Sequence, residues 1–181
     1  MQIEQADYVV IGGGASGCVV ANRLSADPGT RVVLLEAGPA ADGFWNKVPA
    51  GGLRKMNTPG ADWMHKTEPD PSLNGRQMVW NAGRMLGGGS AINGMVYIRG
   101  DRRDYDQWAN ELGCTGWSWN EVFPYFLKSE NYQGPPSQTH GTHGTLAVSE
   151  PGMAHPLAET FIDACEQYGL RRVEDYCAGD V

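Results

Sequence analysis

The chain has 181 residues, 41% hydrophobic and 19% charged, a composition that excludes a disordered segment and suffices for one domain with a real core. Its 14 Lys and Arg against 21 Asp and Glu give a net charge of −7, and without a basic block or a basic–aromatic stripe no nucleic-acid partner is expected. No apolar run approaches the roughly 18 residues of a membrane span, so no transmembrane segment is predicted.

The first strand is predicted at Tyr8-Val9-Val10-Ile11, so close to the N-terminus that no room remains for a signal peptide. Gly12, Gly14 and Gly17 follow in G-x-G-x-x-G spacing. Gly12 permits the tight turn, Gly14 lets backbone approach a pyrophosphate, and Gly17 lets a helix pack close to the strand. A helix opening at Ala15 and Ser16 directs unpaired N–H groups and a positive dipole end at the phosphates. Pro28-Gly29 stops that helix, and Arg31 to Leu35 reads as a strand buried on both faces. Such a strand–helix–strand unit is a right-handed parallel crossover. Glu36 ends the second strand, 19 residues beyond Gly17, where a carboxylate accepts hydrogen bonds from a ribose. An acid at that place argues against a 2′-phosphate, which leaves NAD or FAD; the fingerprint does not choose between them.

Residues 37–61 are rich in Gly, Pro, Ala and Asn and lack sustained periodicity, so an irregular and functional stretch is expected. Residues 63–67 and 76–80 read as short strands around a turn at 69–75. The second concentrated signal is Gly83-Arg84-Met85-Leu86-Gly87-Gly88-Gly89-Ser90-Ala91-Ile92-Asn93-Gly94-Met95-Val96. Its consecutive glycines expose backbone to a flat ligand, Ser90 is expected to begin a helix facing that ligand, and Asn93 offers an amide donor and acceptor.

An amphipathic helix is predicted over 104–112, with Tyr105, Trp108 and Leu112 on one stripe. Ser118-Trp119-Asn120-Glu121 has capping-box spacing before a second helix, which Pro124 is expected to kink. The aromatic density here reads as core rather than as a binding cage. A strand over 144–148 and a helix from Pro156 to Gly169 complete the predicted elements. Cys18, Cys114, Cys165 and Cys177 contain no C-x-x-C pair and suit a reducing cytosol, so a cytoplasmic location is expected. His140-Gly-Thr-His143 has ligand-like spacing but no third ligand nearby. It reads as a solvated turn, and no metal site is assigned.

Together these residues resemble the N-terminal part of a glucose–methanol–choline (GMC) oxidoreductase, in its alcohol- and choline-dehydrogenase-like branch. The resemblance runs through residues 8–38, through Gly83 to Asp106, and through Gly116-Trp117-Ser118-Trp119 and Pro124-Tyr125-Phe126. It implies an α/β fold: an incomplete Rossmann-like FAD-binding domain in 1–150, with the start of the substrate-domain region in 151–181. It also implies FAD. Position by position, Ala15 and Ser16 would meet the pyrophosphate, Glu36 and Ala37 the ribose, and Met85 and Gly89 would line the flavin. Asn93, Gly94, Met95 and Val96 would contact the isoalloxazine end. Some members attach FAD through a histidine where Ile92 stands here, so noncovalent FAD is expected.

The family reaction takes a hydroxyl proton from an alcohol and moves a hydride to the flavin. The histidine that serves it lies near the far C-terminus of much longer enzymes, and none of the four histidines here matches it. No catalytic residue is therefore assigned. The expected partners are a small-molecule alcohol and the missing C-terminal portion, in the same protein or a second chain. Two other readings stay open: a different FAD or NAD enzyme on this fold, against which the 83–100 signature argues, and a non-catalytic nucleotide-binding module or pseudoenzyme fragment.

Overall fold

The computed structural model describes residues 5–152 and 155–177. They form two compact units, one running to Val96 and one starting at Tyr97. That division falls inside the 1–150 segment.

The first unit opens with β1 (Tyr8–Ile11), α1 (Ala15–Leu24) and β2 (Val32–Leu35). The strands pair in parallel, from Tyr8 opposite Val32 to Ile11 opposite Leu35, as the crossover requires. α1 packs on both strands and ends at Ser25, ahead of Pro28. The expected burial of the second strand on both faces is only partly met: Val32, Val33 and Leu34 are half-buried and Leu35 is exposed. In β1, Ile11 stands 85% exposed. Two parallel strands and one helix leave apolar surface that parallel sheets ordinarily cover.

Residues 37–61 are not wholly irregular, contrary to expectation. They contain α2 (Phe44–Lys47) and α3 (Gly51–Lys55), single turns too short to show helical periodicity. Gly51 permits their junction, because a Cβ there would stand 1.7 Å from the Trp45 carbonyl oxygen. The two predicted short strands shrink to β3 (His65–Lys66) and β4 (Val79–Trp80), paired antiparallel. Between them a 3-10 turn, Pro71–Leu73, is capped by Asp70, whose carboxylate accepts from the Ser72 N–H at 2.8 Å.

The helix expected after Ser90 does not form. A 3-10 turn spans Gly88–Ala91 and no regular element follows before α4. Met95 lies at φ 59, and its N–H donates to Asn93 Oδ1 at 3.1 Å, a tight local turn where a helix would have continued. Met85 and Ile92 are the buried hydrophobic side chains among the described residues, and both belong to this unit.

The second unit comprises α4 (Arg102–Asn110), α5 (Trp119–Ser129), β5 (Glu130–Tyr132), β6 (Leu146–Val148) and α6 (Pro156–Gln167). Asp101 caps α4 by accepting from the Arg103 N–H at 2.8 Å, which starts the helix two residues earlier than predicted. Glu121 accepts from the Ser118 N–H at 3.1 Å, the glutamate arm of the predicted capping box. α5 continues through Pro124 to Ser129. β5 and β6 pair in parallel, and Gly169 at φ 99 follows the end of α6. The aromatic residues cluster as expected, with Tyr105 touching the rings of Trp108, Trp119 and Phe126. Trp117 and Tyr125 remain exposed beside an apolar groove of about 670 Å³.

Candidate functional site

The glycine turn between β1 and α1 has the geometry that its spacing predicts. Gly12 sits at φ 96, a left-handed conformation that favours glycine. Gly14 is the extended N-cap of α1, with no side chain capping the helix, so the first N–H groups are left for another acceptor. At Gly17 a Cβ would stand 1.9 Å from the Gly12 carbonyl oxygen. Only glycine allows the helix to approach its own turn so closely. A Cβ built on Gly12 or Gly14 meets nothing within 4 Å, so both leave bare backbone facing open space.

Glu36 reaches back to this turn. Its carboxylate accepts from the Gly13 N–H at 2.7 Å and from the Gly38 N–H at 2.9 Å. The acid thus shapes the glycine turn as well as standing at the end of β2. Replacing Glu36 with alanine strands the buried Gly13 N–H, at a cost of about 1–3 kcal/mol. Chemical denaturation of the full-length protein is expected to register that loss.

The 83–89 segment meets the same turn. The Gly87 N–H donates to the Gly13 carbonyl at 2.7 Å, and the Leu86 N–H to the Pro39 carbonyl at 3.0 Å. Gly88, at φ 53, would place a Cβ 2.8 Å from the Gly14 Cα. Gly38 would place one 2.0 Å from the Arg84 carbonyl oxygen. The middle of the glycine run therefore serves close backbone packing, a role that its sequence reading assigned wholly to a ligand. Gly89, with nothing within 4 Å of an added Cβ, keeps the open face.

Ala15, Ser16 and Ala37 are exposed beside the turn. Met85 is buried, its sulfur accepting from Asn46 Nδ2 at 3.2 Å. Asn93, Gly94, Met95 and Val96 are exposed. A Cβ on Gly52 in α3 would stand 2.7 Å from the Asn93 carbonyl oxygen. The structure thus brings Gly12–Gly17, Glu36–Gly38 and Arg84–Gly89 into mutual contact and sets Asn93 against α3.

One buried acid escapes sequence reading. Asp62 accepts from the N–H groups of Asn57, Met64 and Ala82, each at 2.9 Å, and from Asn81 Nδ2. Burial works to raise its carboxyl, but the Met64, Ala82 and Asn57 N–H groups and the Asn81 amide outweigh it and hold it at about 2. The composition of 37–61 marked the neighbourhood, but no local pattern marks Asp62, because two of its donors lie 19 and 20 residues ahead.

In the second unit His140 is buried, not solvated as its Gly/Thr surroundings suggested. Its Nδ1 lies 2.7 Å from Glu130 Oε1 and its Nε2 lies 2.9 Å from Asp175 Oδ2, with Tyr132 stacked on the ring at 3.9 Å. Glu130 also accepts from Arg99 Nη2 at 2.7 Å and from the Gly141 N–H at 2.9 Å. Among the described residues no group of His, Cys, Asp or Glu is arranged to hold a metal ion, and no helix is long and apolar enough to cross a membrane.

Comparison with known proteins decides the family. The family model for GMC oxidoreductase matches residues 6–179. The chain belongs to the GMC oxidoreductases. Over 172 residues this GMC chain is 40% identical to an oxygen-dependent choline dehydrogenase of Rhizobium etli, covering 95% of the chain and 31% of that protein. Over 159 residues it is 44% identical to an alcohol dehydrogenase [acceptor] of Pseudomonas putida, covering 87% of the chain and 29% of the relative. Among solved structures it resembles pyridoxine 4-oxidase from Mesorbium loti, with a TM-score of 0.85 at 35% identity over 94% of this chain and 33% of that one. It also resembles an FAD-dependent oxidoreductase from Chaetomium thermophilum, with a TM-score of 0.82 at 36% identity over 97% of this chain and 32% of that one. The chain therefore spans about a third of the length of these relatives, and its α/β fold is a partial Rossmann-like domain of the GMC type.

Proposed function

We propose that this chain forms the FAD seat of an enzyme that oxidises the CH–OH group of a primary alcohol or choline-like substrate. The observation that carries the reading is the junction of the two glycine segments, where the Gly87 N–H meets the Gly13 carbonyl. It joins two separate family motifs into one backbone-lined surface. Bare backbone at Gly12, Gly14 and Gly89 fits a flat, anionic dinucleotide. In this reading Gly12, Gly14, Ala15, Ser16 and Gly17 hold the pyrophosphate, and Glu36 and Ala37 hold the ribose. Met85 and Gly89 support the flavin through their backbone, and Asn93, Gly94, Met95 and Val96 border its ring.

Bound FAD supplies the hydride acceptor, while the protein supplies position and electrostatics. The α1 N-terminus offsets phosphate charge, and the glycines let backbone donors approach without side chains intervening. Ile92 is buried and apolar and offers no attachment point, so the cofactor is held noncovalently. The base that takes the hydroxyl proton belongs to the C-terminal portion, in the same protein or a second chain. Residues 1–150 belong to the flavin domain and 151–181 open the next segment, and the enzyme is cytoplasmic.

The test is anaerobic. Adding a primary alcohol or choline to the purified full-length protein is expected to bleach its visible flavin absorption. A flavin band unchanged by every alcohol tried, yet bleached by dithionite, would refute alcohol oxidation.

A further inference from the structure

Asp62 stands 3% exposed in the first unit, and its partners are neutral N–H donors. Two of those donors are conformationally strained. Asn57 lies at φ 56 and Met64 at φ 49, both in the left-handed region that non-glycine residues seldom adopt. Each gives its backbone N–H to Asp62 at 2.9 Å. The other two donors, Asn81 Nδ2 and the Ala82 N–H, belong to the approach to Gly83.

The same knot contains a short backbone ladder. The Trp63 N–H donates to the Ala82 carbonyl at 2.9 Å, and the Arg84 N–H to the Ala61 carbonyl at 2.8 Å. Gly83 packs directly beneath Gly88, since a Cβ there would stand 2.0 Å from the Gly88 carbonyl oxygen. The 83–89 segment is therefore fixed at one end by Asp62 and at the other by Gly13 and Pro39.

We propose that Asp62 is a positioning residue for the flavin-facing 83–89 segment, holding two left-handed residues and the approach to that segment in one hydrogen-bonded knot. The flavin role rests on the FAD reading above. A carboxylate suits the place because four donors converge on two oxygens. Asparagine would turn its own amide hydrogens toward two of them. Without the carboxylate, the strain at Asn57 and Met64 relaxes by moving the loop, and Ala82 to Arg84 move with it.

The test uses the full-length protein with Asp62→Asn, Asn81→Ala and Met64→Gly, the last also combined with Asp62→Asn. Readouts are amide hydrogen exchange at Ala82 and Arg84 in FAD-free protein, the Kd for FAD, and the fine structure of the bound flavin's absorption band. Asp62→Asn is expected to speed exchange and weaken FAD binding by about tenfold or more, with a blurred flavin band. Met64→Gly alone is expected to leave FAD binding within about twofold, because glycine accepts the left-handed conformation. In the Asp62→Asn background it is expected to restore a large part of the loss, a rescue that generic destabilisation does not give.

Wild-type exchange and Kd in Asp62→Asn, or no rescue by Met64→Gly, would overturn the proposal. Should Asp62→Asn not fold, Asn81→Ala carries the test, since it leaves three donors in place. An exchange rate and Kd raised about threefold support the proposal, and wild-type values defeat it. A wild-type protein that binds no FAD fails the site reading itself, which is distinct from one that binds FAD but ignores Asp62.

Discussion

Replacing Glu130 with alanine is expected to destabilise the second unit by about 3–5 kcal/mol, the usual penalty for removing one partner of a buried charge pair. Glu130 is 0% exposed and serves three groups at once: Arg99 Nη2, His140 Nδ1 and the Gly141 N–H. Alanine leaves the guanidinium of Arg99, a residue only 5% exposed, without its carboxylate. It also leaves the Gly141 N–H without an acceptor and a cavity where the side chain stood. Urea unfolding of the full-length protein, followed by the fluorescence of its six tryptophans, measures the effect, and hydrogen exchange along β5 localises it. In a double-mutant cycle Arg99→Met is expected to recover part of the loss, since it removes the stranded charge. A loss below about 1 kcal/mol would mean that water reaches the pair and screens it.

Gly17→Ala is expected to have the largest effect on the cofactor. The new Cβ would meet backbone, the Gly12 carbonyl oxygen at 1.9 Å, so no flexible side chain is available to yield. Either α1 withdraws from the turn or the turn opens, and both move the helix N-terminus from the pyrophosphate. Overpacking of this kind costs about 1–3 kcal/mol or more, which corresponds to roughly fivefold to more than a hundredfold in FAD affinity if the strain falls on the bound state. Fluorescence titration of the apoprotein with FAD checks it. Gly152→Ala, where an added Cβ meets nothing within 4 Å, is the matched control and is expected to change nothing. Equal FAD affinity in Gly17→Ala and wild type would contradict the assigned role of the turn.

What the sequence disclosed followed from how local each constraint is. Gly12, Gly14 and Gly17 act within one turn, and the parallel pairing of β1 with β2 follows from the helix between them, so spacing alone located them. The second motif was visible as a cluster, but its conformation was not. Gly87 and Gly88 looked free for a ligand, yet Gly88 packs against Gly14, a partner more than seventy residues away. The helix expected after Ser90 lost to the left-handed Met95 and its bond to Asn93, which propensity does not register. His140 read as part of a solvated turn, and nothing local in the sequence marked Asp62 or Glu130. Their partners at 81 and 82, at 99, and at 175 are brought close only by tertiary structure.

The most direct test of the central claim is the chromophore that the purified full-length protein releases on acid precipitation. The geometry of the glycine turn, Glu36 and the 83–89 segment, with Ile92 in place of a linking residue, predicts FAD in the supernatant at about one per chain. A released nicotinamide dinucleotide, flavin that stays with the precipitated polypeptide, or no nucleotide at all would contradict it.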